Sequence, residues 1–541
     1  MKVLIIGGVA AGTKVAAKLK RENYDCDVTI ITKSKEISYA GCGLPYYVGS
    51  VIPDGSQLIV NTPESFSNST GVSVLTEVEV TKVNPTERTV DALNLKTQET
   101  LKLEYDKLVI ASGAEAIRPA IDGVDLKNVF SLRTPEDAYV LRKAVETGDI
   151  KRAVIVGGGY VGLEIAENLS AQGIRVTVID MAKHILPGFD DEFAEYVENH
   201  LADQGIITFT ETKLEAILGE EKVEKIMTNR RAMKTDAVIL SVGIKANTDF
   251  LIDSGIELMP NKTIKVNEFL QTNIDDIYAV GDCATIINRL TKEPAWSPMG
   301  STANIAGRIV AKNITGAKAA YPGVLGTSVA KLPNLNVGRT GLTETAAKEA
   351  GYNAVSVVAV LDDKAHYYPG ASSFIVKMIA DRDTKKLLGL QVLGKGAVDK
   401  MVDIAATAIT LGASLEHIEN MDLAYAPPFS TAIHPFSHTV NILLNKISGA
   451  FETITPAAYA AGDAEGYKII DVSLNPSIDG AHFADLAKVK GELPEFSKDE
   501  KLLLVCTKGK RAYMLQNRLK HFGYTNTLVL EGGTTFNGVS I

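Results

Sequence analysis

The chain has 541 residues, 45% hydrophobic and 22% charged, with a formal net charge of −9. That length exceeds what one hydrophobic core serves, so three or four domains are expected, and the acidic balance argues against a nucleic-acid partner. No apolar run approaches the roughly 20 residues that a membrane helix needs, and Met1 leads directly into Val3-Leu4-Ile5-Ile6 with none of the features of a signal peptide; a cytoplasmic protein without a membrane partner is expected.

The first element in the chain is a strand, turn and helix. Lys2 to Ile6 runs into Gly7-Gly8-Val9-Ala10-Ala11-Gly12 and a helix to about Lys20, and Asp27 to Ile31 is the next strand. Such a βαβ unit brings backbone N–H groups and a helix N-terminus to a pyrophosphate. The pattern recurs: Arg152 to Val156 is a strand, Gly157-Gly158-Gly159-Tyr160-Val161-Gly162-Leu163-Glu164 opens a helix, and Arg175 to Ile179 ends at Asp180. Here GxGxxG is complete, and Asp180 has the spacing of a ribose-binding acid. Two units of this kind predict two dinucleotide sites. Asp106 to Ala111 ends in Ser112-Gly113, and Ile277 to Val280 ends in Gly281-Asp282. Both return the chain to the first nucleotide fold, with the second inserted between them.

From about Tyr321 the pattern becomes α+β, with strands over 354–361, 373–379 and 388–393 and a helix over 397–411. The stretch from Lys446 to Gly466 has the composition of a linker. A last α/β pattern follows: strands at Lys468–Val472, Lys501–Val505 and Thr527–Leu530, with a helix from about Arg511.

The four cysteines, Cys26, Cys42, Cys283 and Cys506, form no CxxC or CxxxxC pair. No zinc site or disulfide framework is expected, and no metal. Cys26 and Cys283 read as packing residues. Cys42 lies in Ser38-Tyr39-Ala40-Gly41-Cys42-Gly43-Leu44-Pro45, just past the second strand of the first nucleotide fold. A small-residue bend feeding a helix there would lower the thiol pKa through the helix dipole.

On these motifs, residues 1 to about 447 resemble the single-cysteine branch of the flavoprotein disulfide reductases, which contains coenzyme A disulfide reductases, NADH oxidases and NADH peroxidases. The resemblance implies FAD on the first fold, held by Gly7, Gly8, Val9, Ala10, Ala11, Gly12, Lys33, Ser112, Gly113, Gly281 and Asp282, with Asp282 at the flavin ribitol. It implies NADH on the second, held by Gly157, Gly159, Tyr160, Gly162, Glu164 and Asp180; Tyr160 and Glu164 lie near the nicotinamide. A carboxylate at Asp180 repels a 2′-phosphate, which favours NADH while leaving NADPH possible. Val9 replaces the second glycine of the first motif, and Thr32-Lys33 stand where a strand-end acid is usual. His366-Tyr367-Tyr368-Pro369-Gly370 and Leu423-Ala424-Tyr425-Ala426-Pro427-Pro428 resemble segments carrying active-site tyrosines. This implies catalytic roles for Cys42, Tyr367 and Tyr425, one tyrosine reaching across a homodimer interface, and contacts to coenzyme A from Arg21, Ser38 and Tyr368. His434 and His438 are read as surface or interface residues, with a general base as the second possibility.

Val505-Cys506-Thr507-Lys508-Gly509-Lys510-Arg511, with Asp471-Val472, Gly480-Ala481-His482 and Leu530-Glu531-Gly532-Gly533, resembles rhodanese, the sulfur-transfer domain. A loop of N–H groups with a Lys and an Arg beside it would let Cys506 hold a persulfide anion.

The expected architecture is α/β: two Rossmann-like dinucleotide-binding domains, an α+β dimerisation domain and a C-terminal α/β rhodanese domain. The expected boundaries are 1–118 with 245–320 for FAD, 119–244 for NAD(P)H, 321–447 for dimerisation, 448–461 as linker and 462–541 as rhodanese. The implied activity is NAD(P)H-dependent reduction of CoA disulfide, CoA persulfide or polysulfide through Cys42. The alternatives are an NADH oxidase or peroxidase cycling through a sulfenic acid, and a CoA- or sulfur-binding redox sensor.

Overall fold

Lys2–Ile6 is buried at every position after its first residue, and in the computed structural model, which describes residues 1–539, it is the central strand of a parallel sheet. Across that sheet the order is Ile277–Ala279, Lys107–Ile110, Lys2–Ile6, Asp27–Thr32, Ser73–Thr76. Side-chain alternation assigns the two faces. Val3, Ile5, Val28, Ile30 and Val109 share a core with Ala11, Val15 and Leu19 of helix Ala10–Glu22 and Ala303, Ala306 and Val310 of helix Gly300–Ile314. Leu4, Ile6, Ile31, Leu108 and Ile110 share the other core with Val78, Val80, Val83, Val90 and Ala92. Those residues belong to an antiparallel meander, Val78–Asn84, Thr89–Asn94 and Thr100–Glu104, which the sequence reading does not contain.

The chain forms two units, Met1–Pro187 with Leu201–Val324, and Gly188–His200 with Leu325 onward. The first unit holds a second parallel sheet, in the order Ile207–Phe209, Arg175–Ile179, Arg152–Val156, Ala237–Leu240, Val129–Ser131. The same turn serves both sheets. Gly7 and Gly157 have φ of +109° and +112°, and a Cβ on them would collide with the carbonyls of Ala111 and Ser241. A Cβ on Gly12 or Gly162 would strike the Gly7 or Gly157 carbonyl, so these glycines let each helix start against its own turn.

In the second unit an antiparallel sheet runs Ser328–Leu332, Leu335–Gly341, Leu387–Gly394, Ser373–Asp381, Ala354–Asp362. Helices Val398–Leu411 and Pro435–Ile447 pack against it. Lys377, 3% exposed in a central strand, is surrounded by Glu192 at 2.6 Å and Asp190 and Glu344 at 3.1 Å each. Burial alone would lower the lysine pKa, but the three carboxylates outweigh it and raise it. Burial would likewise raise Glu344, yet Lys377, Lys348 and Ser356 hold it at about 2.

The C-terminal sheet is parallel, in the order Thr453–Ile454, Thr527–Leu530, Leu502–Val505, Lys468–Asp471, His482–Phe483. Its edge strand corrects the expected linker over 448–461. Thr453–Ile454 pairs with Val529–Leu530, and Pro456–Ala460 is a helix capped by Thr455. Small residues look like linker composition, but Ile454 is buried in this sheet's core. Glu531, buried at the end of Thr527–Leu530, accepts from Lys446 and Thr453 at 2.5 Å each and from the Val358 N–H at 2.8 Å.

Lys377→Met is expected to destabilise the protein by about 3–5 kcal/mol, because three carboxylates lose their buried counter-charge; a fall in the thermal midpoint measures it. Wild-type Glu344 contributes its stabilisation in full above its unfolded pKa. That contribution is lost as pH falls from 4.5 towards 2, so acid unfolding should steepen in this window and do so less in Glu344→Gln.

Candidate active site

The carboxyl edge of the first parallel sheet gathers the expected FAD residues. Ile6, Ile110 and Ala279 are in register, so Gly7, Ser112 and Gly281 leave neighbouring strands at one edge. Helix Ala10–Glu22 starts at Val9 with no side-chain cap and no acid in its first turn. Its first N–H groups therefore have no side-chain partner and can meet an anion. Beside it, Gly113, at φ +70°, faces open space. Ser112 Oγ donates to Asn247 O at 2.7 Å, which steadies this edge. The surroundings fit a dinucleotide diphosphate: an uncapped helix, glycine turns and no competing acid at the helix start.

Asp282 follows Gly281 and is held by Arg133, whose Nη2 donates to Oδ2 at 2.6 Å; Trp296 Nε1 donates to the Asp282 carbonyl at 2.9 Å. Lys33 follows strand Asp27–Thr32, is exposed, and reaches towards Glu79 at 3.9 Å. Arg21 is exposed in the last turn of helix Ala10–Glu22, and Ser38, with φ of 50°, accepts from Asn61 Nδ2 at 3.3 Å.

The second glycine turn repeats the first. Helix Tyr160–Ala171 has Gly159 as an uncapped N-cap with open space beyond it. Asp180, past strand Arg175–Ile179, accepts from the Gly158 N–H at 2.7 Å and the Ala182 N–H at 2.8 Å. The Asp180 carboxylate is thus locked to the glycine turn at the strand end where the sequence leads one to expect a ribose-binding acid.

Cys42 is the one exposed cysteine of the four. It occupies the 3₁₀ turn Gly41–Gly43, which continues into helix Leu44–Val48. That helix docks on helix Tyr160–Ala171 and its end. Tyr46 donates its hydroxyl to Glu164 Oε1 at 3.1 Å, and Gln172 Nε2 donates to Val48 O at 2.7 Å. A Cβ on Gly49 would collide with Asn168. The turn bearing the thiol is thus fixed to the second nucleotide fold.

The expected lowering of the Cys42 pKa is corrected. Although the residue is exposed, partial loss of solvent around the thiol raises it most, the Glu164 carboxylate and Asp282 add to this, and Arg133 opposes. A helix of five residues that begins only at Leu44 is too short to reverse these effects. Glu164 is itself pushed up by burial, while the Tyr46 hydroxyl draws it back. Sequence reasoning overlooked Arg133 and Tyr46. The weak signal for Arg133 was its place directly before the Thr134-Pro135 helix start, whose Asp137 caps the Arg133 and Thr134 N–H groups.

The remaining candidates lie in the second unit. Tyr367 and Tyr425 are 66% and 48% exposed, and Tyr368 is 38% exposed. A hydrogen bond between Tyr425 and Tyr367 raises the Tyr425 pKa. The loop that carries Tyr367 and Tyr368 is anchored by Asp363, which accepts from the Ser372 N–H at 2.7 Å and hydroxyl at 3.1 Å. His434 caps helix Pro435–Ile447 through Nδ1, 3.2 Å from the Phe436 N–H. It is buried, and burial followed by the charge of Lys400 lowers it to about 4. A buried cap differs from the surface residue that the sequence suggested, and at neutral pH the ring is a weakly basic neutral imidazole. Burial also lowers His438.

Cys506 closes strand Leu502–Val505, ahead of helix Lys510–His521, which starts from Gly509 at φ +86° with no side-chain cap. The residue is buried, 2% exposed, and its carbonyl accepts from the Thr534 N–H at 3.1 Å. The two cations expected to serve the sulfur have other partners. Lys508 pairs with Asp362 at 2.6 Å, and Arg511 Nε donates to Val472 O at 2.7 Å. Asp471 is occupied in ordering its loop, accepting from the N–H groups of Ser473, Ser477 and Ile478 at 2.6–3.1 Å. The backbone amides of the loop remain the feature suited to an anionic sulfur.

Among the described residues no helix is long and apolar enough to cross a membrane. Residues 1–302 match the family described as pyridine nucleotide-disulphide oxidoreductase, and residues 328–435 match its dimerisation domain. An NADH oxidase of Methanocaldococcus jannaschii is 36% identical over 449 residues, which are 83% of this chain and 100% of that protein. An NAD(P)H coenzyme A polysulfide/persulfide reductase of Pyrococcus horikoshii is 35% identical over 82% of this chain and 98% of its own length. The solved structure of an NAD-dependent persulfide reductase from A. fulgidus has a TM-score of 0.93 and 34% identity, covering 99% of this chain and 100% of its own. With two glycine turns of matching geometry and a family match over more than half its length, the chain belongs to the pyridine nucleotide-disulphide oxidoreductases.

Proposed function

We propose that the protein is an FAD-dependent, NAD(P)H-consuming reductase of CoA disulfide, CoA persulfide or polysulfide, acting through Cys42. The observation that carries this reading is the position of Cys42, exposed on a turn that helix Leu44–Val48 ties to the second nucleotide fold. The names of the Pyrococcus horikoshii and A. fulgidus relatives support the substrate class. Bound FAD would supply the two-electron link between nicotinamide and sulfur.

In this reading Gly7–Gly12, Lys33, Ser112, Gly113, Gly281 and Asp282 hold FAD, and Gly157, Gly159, Tyr160, Gly162, Glu164 and Asp180 hold NADH. The Cys42 thiolate attacks one sulfur of CoA disulfide, forming Cys42–S–S–CoA and expelling CoA thiolate. Two electrons and one proton then return the Cys42 thiolate and a second CoA thiol. With CoA persulfide, attack on the outer sulfur leaves a Cys42 persulfide, and the same reduction releases hydrosulfide. Tyr367 and Tyr425 serve the sulfur chemistry, with Tyr425 assisting the leaving sulfur across a homodimer interface, and Arg21, Ser38 and Tyr368 contact the CoA. The chain is divided as 1–118 with 245–320 for FAD, 119–244 for NADH and 321–447 for dimerisation. The rest is a rhodanese-like domain, beginning near 450 with its edge strand, that presents sulfane sulfur at Cys506. The A. fulgidus persulfide reductase structure covers 99% of this chain, so the C-terminal residues have a structural counterpart there.

A second reading, an NADH oxidase in which Cys42 cycles through a sulfenic acid, is favoured by the name of the Methanocaldococcus jannaschii relative. Anaerobic NADH oxidation with CoA disulfide, CoA persulfide, polysulfide and peroxide separates the two. Cys42→Ser is expected to abolish turnover with every sulfur acceptor, by at least about a thousandfold. Cys506→Ser is expected to lower persulfide turnover while leaving CoA disulfide reduction intact. Dominant peroxide or oxygen turnover, indifferent to Cys506→Ser, would establish the oxidase instead. Asp180→Ala should lower the NADH-to-NADPH ratio of kcat/KM about tenfold or more, as a fixed anion near the 2′-phosphate is removed.

A further inference from the structure

Glu164, Asn168 and Gln172 follow one another at a spacing of four, so they lie along one face of helix Tyr160–Ala171 and its C-cap. The whole row meets the segment that carries the thiol. Glu164 Oε1 accepts from the Tyr46 hydroxyl at 3.1 Å, and Gln172 Nε2 donates to Val48 O at 2.7 Å. Asn168 is 1% exposed, and a Cβ on Gly49 would lie 2.0 Å from its Oδ1. Asn168 Nδ2 also donates to Glu164 O at 2.8 Å, which ties the row together. One step of four towards the N-terminus is Tyr160, the first residue of the helix, next to the uncapped Gly159. Glu164 is thus the member of the row between the nucleotide end of the helix and the thiol segment.

The donor is held as firmly as the acceptor. Helix Leu44–Val48 is pinned by Gln172 and again by Arg142, whose Nη1 donates to Tyr47 O at 3.2 Å and Ile52 O at 3.1 Å. The Arg142 guanidinium also lies 4.4 Å from the centre of the Tyr47 ring. We propose that Tyr46 is a positioning residue of the pyridine-nucleotide site: its hydroxyl, delivered by the Cys42 helix, fixes the Glu164 side chain in the conformation that serves the nucleotide. This rests on the assignment of Glu164 to NADH. A glutamate side chain is rich in rotamers, and ordering it in advance spares the ligand that entropy. One carboxylate oxygen taken by Tyr46 leaves the second as an acceptor for the ligand. Burial and the Glu164 carboxylate push the Tyr46 phenol up, so it stays a protonated donor.

The test is anaerobic flavin reduction by NADH in the holoenzyme, followed by rapid-mixing absorbance with no sulfur acceptor present. The half-saturating NADH concentration and the limiting rate are read separately. Tyr46→Phe removes only the hydroxyl and is expected to raise half-saturation about threefold to tenfold, with a limiting rate close to wild type. Gln172→Leu removes another bond between the same two elements and leaves Glu164 alone; it is expected to lower the thermal midpoint and keep wild-type half-saturation. Unchanged half-saturation in Tyr46→Phe overturns the proposal. So does an equal rise in Gln172→Leu, which would make the effect a general loosening of the docked helix. If Tyr46→Phe does not hold flavin, Glu164→Asp decides, because its shorter side chain withdraws from the hydroxyl and keeps the charge; wild-type half-saturation there overturns the proposal. Glu164→Ala separates the two failures. Wild-type half-saturation in Glu164→Ala removes the assignment of Glu164 to NADH and the proposal with it. A rise in Glu164→Ala without one in Tyr46→Phe removes the proposal alone.

Discussion

The first unit depends on the contact between a glycine turn and the carbonyl of the neighbouring strand. Gly7 lies against Ala111 and Gly157 against Ser241, closer than any side chain permits. That approach ends the strand, starts the helix directly against the turn, and leaves the helix N-terminus uncapped. Anion affinity follows from the geometry: N–H groups with no side-chain partner point out of the sheet edge, beside residues too small to obstruct a phosphate. Gly12 and Gly162 complete the device by letting each helix rest on its own turn.

Around the candidate nucleophile, charge is arranged by tertiary contacts rather than by a helix end. The Cys42 turn carries no ionisable partner of its own. Glu164 comes from the second nucleotide fold, Asp282 from a strand end of the first, and Arg133 from the entry to helix Pro135–Glu146. Desolvation, Glu164 and Asp282 push the thiol above its usual pKa while Arg133 opposes them.

The second unit shows a different use of charge. Lys377 and Glu531 are each buried and each meets several partners, so breaking either set strands charge in an apolar interior. Lys377 joins segment Gly188–His200, through Asp190 and Glu192, to the antiparallel sheet. Glu531 joins strand Ala354–Asp362, helix Pro435–Ile447 and the C-terminal edge strand. Lys508–Asp362 adds a link from the Cys506 loop to the end of the same strand.

The sequence by itself determined the two nucleotide folds with their glycine turns and strand ends, because these follow from local rules: a residue without Cβ where backbones touch, and short continuous apolar runs for parallel strands buried on both faces; it also set Cys42, in its small-residue bend, apart from the packing residues Cys26 and Cys283. It also located the Cys506 loop between strand and helix. It did not reveal the meander Val78–Glu104, whose alternating strands acquire meaning only against the buried face of the parallel sheet. Nor did it reveal Thr453–Ile454, a two-residue strand specified by its partner Val529–Leu530. Burial of Cys506 and His434, the diversion of Lys508 and Arg511 to other acceptors, and the charges acting on Cys42 were decided by the tertiary structure alone. Each depends on groups tens to hundreds of residues apart in the chain, and the electrostatic and desolvation energies that set a thiol's ionisation depend on distance and burial, which no spacing in the sequence records.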